Sequence, residues 1–75
     1  MHARDAVRWL VADSGKTARS VSYEMGRTAN FVTNTIQRSS APRLDTFAHL
    51  AEVCGYELVL RGHDKEIVIE WEDGD

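Results

Sequence analysis

"TARSVSYEMGRTANFVTNTIQ", residues 17–37, is the stretch on which the reading of this chain turns. Thr17 is a good N-cap, and Ala18, Val21, Ser22 and Met25 behind it share one helical face. Gly26 supplies the left-handed residue on which helices end. After one further residue, Thr28 can cap a second helix, with Val32 and Ile36 four apart as its inward positions. Two helices joined so tightly around Gly26 and Arg27 are expected to cross steeply. The outer face of the second is unusual. Asn30, Asn34, Gln37 and Arg38 are all able to hydrogen-bond a base edge, where a purely structural helix favours Glu and Lys for solubility and propensity.

Upstream, Ala6, Val7, Leu10 and Val11 recur at helical spacing over residues 3–13, with Ser14 and Gly15 as a stop. Downstream, "SSAPR" (39–43) reads as a loop, and Leu44, Phe47, Leu50, Ala51 and Cys54 form the apolar stripe of a fourth helix closed by Gly55. There the period changes from 3.6 to 2. "YELVLRG" (56–62) and "EIVIEWE" (66–72) alternate around a turn at Gly62, His63 and Asp64, which predicts a β-hairpin, and the acidic "EDGD" end reads as frayed. The expectation is one domain over residues 1–75, mainly α, with a helical core at 3–55 and a C-terminal hairpin at 56–72.

Charge is divided along the chain. Residues 1–43 carry seven Lys/Arg against three acids, a balance of +4, whereas residues 44–75 carry two against nine, a balance of −7. The net −3 therefore conceals a basic half suited to a polyanion and an acidic half held away from it. A single cysteine excludes an internal disulfide, and His2, His49, His63 and Cys54 lack the short paired spacings of a closed zinc site. No Ser/His/Asp or Cys/His set and no phosphate-cradling glycine loop is legible, so no catalysis, cofactor or metal is expected. Cys54 reads as a small core residue, and His49 and His63 as solvated. The apolar runs are too short to cross a bilayer, and a cytoplasmic protein is expected. A chain this small sits near the lower limit for a self-sufficient core, which leaves oligomerisation as the available support.

The succession of cap, helix, glycine turn, cap, polar-faced helix and a further amphipathic helix ending in Gly resembles the phage repressor and Cro-type helix-turn-helix proteins, the xenobiotic-response-element family. "TARSVSYEMGRTANFVTNTIQ" and "PRLDTFAHLAEVCGYEL" (42–58) carry the likeness, which covers residues 3–58 and leaves out the hairpin. It implies a four- to five-helix lambda-repressor-like domain whose second helix lies across a DNA backbone and whose third enters the major groove. On that alignment Ala29, Asn30, Thr33 and Asn34 face the bases, and Thr17, Arg27, Thr28, Arg38 and Arg43 lie near phosphates. Asn suits the reading role because its amide pairs bidentately with adenine N6 and N7. Phe31 either packs beside the fourth helix or touches a thymine methyl.

Three residues depart from the family pattern. Ala18 stands where many relatives have a phosphate-bridging Gln. Ser22 replaces the usual small Ala, so its hydroxyl must find a backbone carbonyl or stay unsatisfied. Arg43 stands where Ser or Thr would cap the fourth helix, which points to another task at a phosphate or in the minor groove, with Asp45 compensating in the first turn.

The implied function is a small bacterial or phage-type transcriptional regulator, a repressor binding double-stranded DNA at an inverted repeat as a homodimer. Val59, Ile67, Val68, Ile69 and Trp71 are the expected dimer residues. A lone hairpin is marginal in water, and the "EIVIEW" edge invites closure on the same strand of a second subunit. The alternative is an antitoxin or other interaction module whose acidic hairpin engages a protein partner. The fourth helix is the rival dimer surface.

Overall fold

The computed structural model describes residues 1–38 and 41–72. The element order is α1 (Ala3–Ser14), α2 (Ala18–Glu24), α3 (Phe31–Gln37), α4 (Leu44–Val53), β1 (Leu58–Gly62) and β2 (Lys65–Ile69). The architecture is thus mainly α with a C-terminal antiparallel hairpin, with four helices among the described residues. Ser39 and Ser40 of the expected loop, and residues 73–75 of the expected frayed end, lie outside the described residues.

The helices end and begin on local chemistry. Gly15, left-handed at φ 74°, closes α1, and the Ser14 hydroxyl donates to the Val11 carbonyl (2.7 Å) while accepting the Lys16 N–H (3.1 Å). Thr17 caps α2 as expected, its hydroxyl oxygen accepting the Ser20 N–H at 3.0 Å. Gly26 (φ 74°) turns the chain out of α2, a conformation that side chains with a Cβ rarely adopt. α3 begins later than the sequence implied. Thr28 does not open the helix: residues 28–30 form one tight turn, closed by the Phe31 N–H on the Thr28 carbonyl (3.0 Å), and the helix proper starts at Phe31. Asn30 is its N-cap residue, with φ −96° and ψ 5° and no side-chain cap bond.

Val7, Leu10, Val11, Val21, Met25, Val32, Leu50, Ala51 and Cys54 form one buried cluster, so each helix contributes its apolar stripe. Three positions differ from the stripes read in the sequence. Leu44, the first residue of α4, is 62 % exposed and stands outside the cluster, whereas Ala48, not in the expected stripe, is buried on the side of α4 that faces the hairpin. Thr35 is buried beside the half-buried Ile36, its hydroxyl donating to the Phe31 carbonyl at 2.9 Å. Burial also pushes the Cys54 thiol pKa up, in keeping with its core position.

The strands pair Leu58 with Ile69, Val59 with Val68, Leu60 with Ile67, Arg61 with Glu66 and Gly62 with Lys65. Gly62 belongs to β1, and the turn is only His63 and Asp64, both left-handed (φ 51° and 60°), as a two-residue type I′ hairpin loop requires. The root of the hairpin is lashed to the helices. Gly55 (φ 88°) reverses the chain and the Tyr56 N–H bonds the Ala51 carbonyl (2.8 Å). The Tyr56 ring meets Trp9 edge-on at 5.5 Å, and its hydroxyl donates to Asp13. Past β2, Trp71 stacks on His49 at 3.6 Å and donates its indole N–H to Glu52 (2.6 Å). His49, expected to be solvated, is therefore half-buried under an aromatic ring.

Candidate nucleic-acid interface

The α2–turn–α3 unit is held by one buried hydroxyl. Ser22, with no exposed surface, donates to the Ala18 carbonyl (2.8 Å) and accepts the Val32 N–H (3.0 Å). Val32 sits in the first turn of α3, where backbone N–H groups have no partner inside their own helix. A side chain of α2 thus takes the place of the cap that Asn30 does not provide. The donor bond was foreseeable from a hydroxyl facing a helix contact. The acceptor bond was not, since it depends on which amide the turn brings to Ser22.

The turn itself is tightened by further backbone bonds. The Arg27 N–H reaches the Ser22 carbonyl (2.9 Å) and the Gly26 N–H the Tyr23 carbonyl (2.9 Å), both carbonyls at the open end of α2. Arg27 then lays its guanidinium over the Phe31 ring, 4.8 Å from the centroid. Phe31 is half-buried and packs on the core, which favours the packing reading over an exposed thymine contact.

The four residues expected to read bases fall within two turns of chain. Ala29 and Asn30 lie in the tight turn ahead of α3, and Thr33 and Asn34 on its first turns. Asn30 and Asn34 are exposed, while Ala29 and Thr33 are half-buried, so the two amides are the groups that project. Among the residues expected near phosphates, Thr17, Arg27, Thr28 and Arg38 are exposed around this unit, at the start of α2, in the turn and just beyond α3.

The positive charges of the first half are not all at liberty. Lys16 donates to Glu24 (2.8 Å) and to the Val53 carbonyl (3.0 Å), tying the α1–α2 loop to the end of α4. This ammonium holds the Glu24 carboxyl below the usual carboxylate range, chiefly through the hydrogen bond. Arg43 pairs with Asp45 (3.1 Å), whose other oxygen accepts the Thr46 N–H at 2.8 Å. Asp45 thus supplies the capping bond that Arg43 lacks at the start of α4, and a guanidinium that exposed can exchange its pair for a phosphate at small cost. Arg19 was passed over in the sequence. It is exposed in the first turn of α2, where a cation runs against the helix macrodipole.

No family model matches the chain, and neither a curated protein nor a solved structure matches it significantly. No helix among the described residues is long and apolar enough to cross a membrane.

Proposed function

We propose that this protein is a sequence-specific DNA-binding regulator of the helix-turn-helix kind, with α2 and α3 as the two helices of the motif and α3 as the reading helix. The carrying observation is the Ser22 bridge. It ties the first turn of α3, a short helix with exposed amides in and beside it, to α2 through one buried side chain, and backbone bonds tighten the turn between them. A recognition helix needs this rigidity, because a hydrogen bond to a base edge is lost with a small displacement. Asn30 and Asn34 supply the bidentate amides, with Ala29 and Thr33 beside them. Thr17, Arg19, Arg27, Thr28 and Arg38, exposed within or beside this stretch of chain, and Arg43 at the start of α4 are groups suited to phosphate. Binding to an inverted repeat as a homodimer, and repression by occupying a promoter, complete the proposal. The acidic hairpin sits in the other half of the sequence, consistent with a role away from a polyanion.

The test is selection from a random duplex pool followed by a salt series on the selected sequence. An enriched inverted repeat whose affinity falls steeply with salt is the expected result. The alternative, an interaction module whose hairpin engages a protein, predicts no enriched sequence and a weak salt response.

A further inference from the structure

The hairpin leaves a sheet edge open on each side, and the strand register decides between them. In a two-residue type I′ hairpin the pair closing the turn, Gly62 with Lys65, is hydrogen-bonded, and bonded and non-bonded pairs alternate from there. The backbone groups of Gly62, Leu60 and Leu58 therefore point at β2, and those of Arg61, Val59 and Glu57 point outward. No other backbone bond among the described residues engages these outward groups. On β2 the outward groups belong to Glu66, Val68 and Glu70. Leu60 (59 % exposed), Ile67 (56 %) and Val68 (45 %) show that the hairpin is also poorly covered beyond its root.

From this register, and resting on the homodimer reading above, we infer that a second copy of this chain docks on the free edge of β1. The two β1 strands run antiparallel about a two-fold axis at Val59 and form a four-stranded sheet. That register sets Val59 opposite the partner's Val59 and lets both sets of outward groups bond each other. It places Glu57 opposite the partner's Arg61 and, by symmetry, Arg61 opposite the partner's Glu57. Unlike charges then face each other twice, which stabilises an antiparallel pair. Within one chain the continued register puts Glu57 opposite Glu70, two acids, while Arg61 pairs with Glu66 at 3.4 Å. The partner's Arg61 relieves that acidic pair. On the opposite face Leu58 meets the partner's Leu60 and Leu60 the partner's Leu58. The exposed aliphatic patches of two hairpins thereby join into one surface.

The edge of β2 does not offer this. A two-fold axis at Val68 sets Glu66 against the partner's Glu70 twice, and one at Ile69 sets Glu66 against the partner's Glu72, like charges in both cases. The "EIVIEW" edge favoured from the sequence is thus guarded by its glutamates, a common protection of an exposed strand edge.

Sedimentation of the full chain without DNA tests the register, using Glu57→Arg, Arg61→Glu and the double exchange, each checked for unchanged circular dichroism. Each single change turns two unlike pairs into two like ones and is expected to weaken the dimer roughly tenfold or more. The double exchange restores unlike pairs and is expected to recover the original dissociation constant. Glu70→Gln removes the acidic pair that the partner's Arg61 offsets and is expected to leave the dimer as tight as the original or slightly weaker. A wild-type chain that stays monomeric at high micromolar concentration overturns the inference, as do single changes without effect, a double exchange that fails to recover, or a tighter Glu70→Gln dimer. Because no DNA is present, these outcomes are independent of the selection experiment: a charge-restored dimer with no enriched sequence leaves this interface standing and removes the DNA-binding reading.

Discussion

Replacing Ser22 with Ala puts into the α2–α3 contact the residue that the family resemblance expects, and the structure requires that it destabilise. The buried Val32 N–H loses its acceptor at 3.0 Å, and with Ser22 wholly enclosed no water replaces it without rearrangement. An orphaned buried donor costs about 1–3 kcal/mol. Against this, Ala is a better helix former than Ser by about 0.5 kcal/mol. The Ala18 carbonyl loses only a second donor, since the helix ladder still serves it. The net loss is therefore about 0.5–2.5 kcal/mol. With a urea dependence of about 1 kcal/mol per molar for so small a domain, the unfolding midpoint should drop by roughly 0.5–2.5 M. Equilibrium urea unfolding followed by circular dichroism reads this directly. Hydrogen exchange adds a local signature, faster exchange at the Val32 amide than the global loss accounts for. A variant as stable as the wild type, with Val32 still protected, would refute the idea that the hydroxyl serves as the cap of α3.

Asn30→Ala and Asn34→Ala should each cost roughly 1–3 kcal/mol of discrimination between the selected duplex and random duplex, measured by competition binding, with nonspecific affinity nearly unchanged. Equal losses on both duplexes would place the amides away from the bases. Arg27→Ala, Arg38→Ala and Arg43→Ala should weaken binding to all sequences and each reduce the magnitude of the salt slope by about 1; unchanged slopes for all three would relocate the basic face. Thr17→Ala removes the acceptor of the Ser20 N–H and should cost about 1 kcal/mol, a fall in melting temperature of about 4–8 °C for a domain of this size, read by thermal unfolding. The lowered pKa of Glu24 means that its contribution is present above the ordinary carboxylate value of about 4.3 and is lost as pH falls through the lower folded value. Glu24→Gln should therefore differ in stability from the wild type at pH 7 and converge on it in strong acid; a gap that persists undiminished would show that the charge of Glu24 is not what matters.

The secondary structure was legible because local chemistry writes it. Thr17 caps, Gly15, Gly26 and Gly55 turn left-handed, and the change from a 3.6 to a 2 period marks where helix gives way to hairpin. The amides proposed for base reading stand out in the sequence for a related reason: Asn runs against helix propensity in a stretch that otherwise reads as helix. The start of α3 was not legible in the sequence: Thr28 is a good cap by type, whereas the tight turn at residues 28–30 delays the helix and leaves capping to a residue distant in sequence.

Pattern alone determined four helices, a hairpin and the segregation of charge, since each rests on neighbours within a few positions. Only the tertiary structure decided which hydroxyl caps α3, that Trp71 packs on His49, that Lys16 is taken up at the end of α4, and which strand edge carries complementary charge. These depend on which distant groups the packed helices and the register bring within about 3–5 Å of each other, a distance at which hydrogen bonds, ring contacts and ion pairs act and over which sequence spacing is silent.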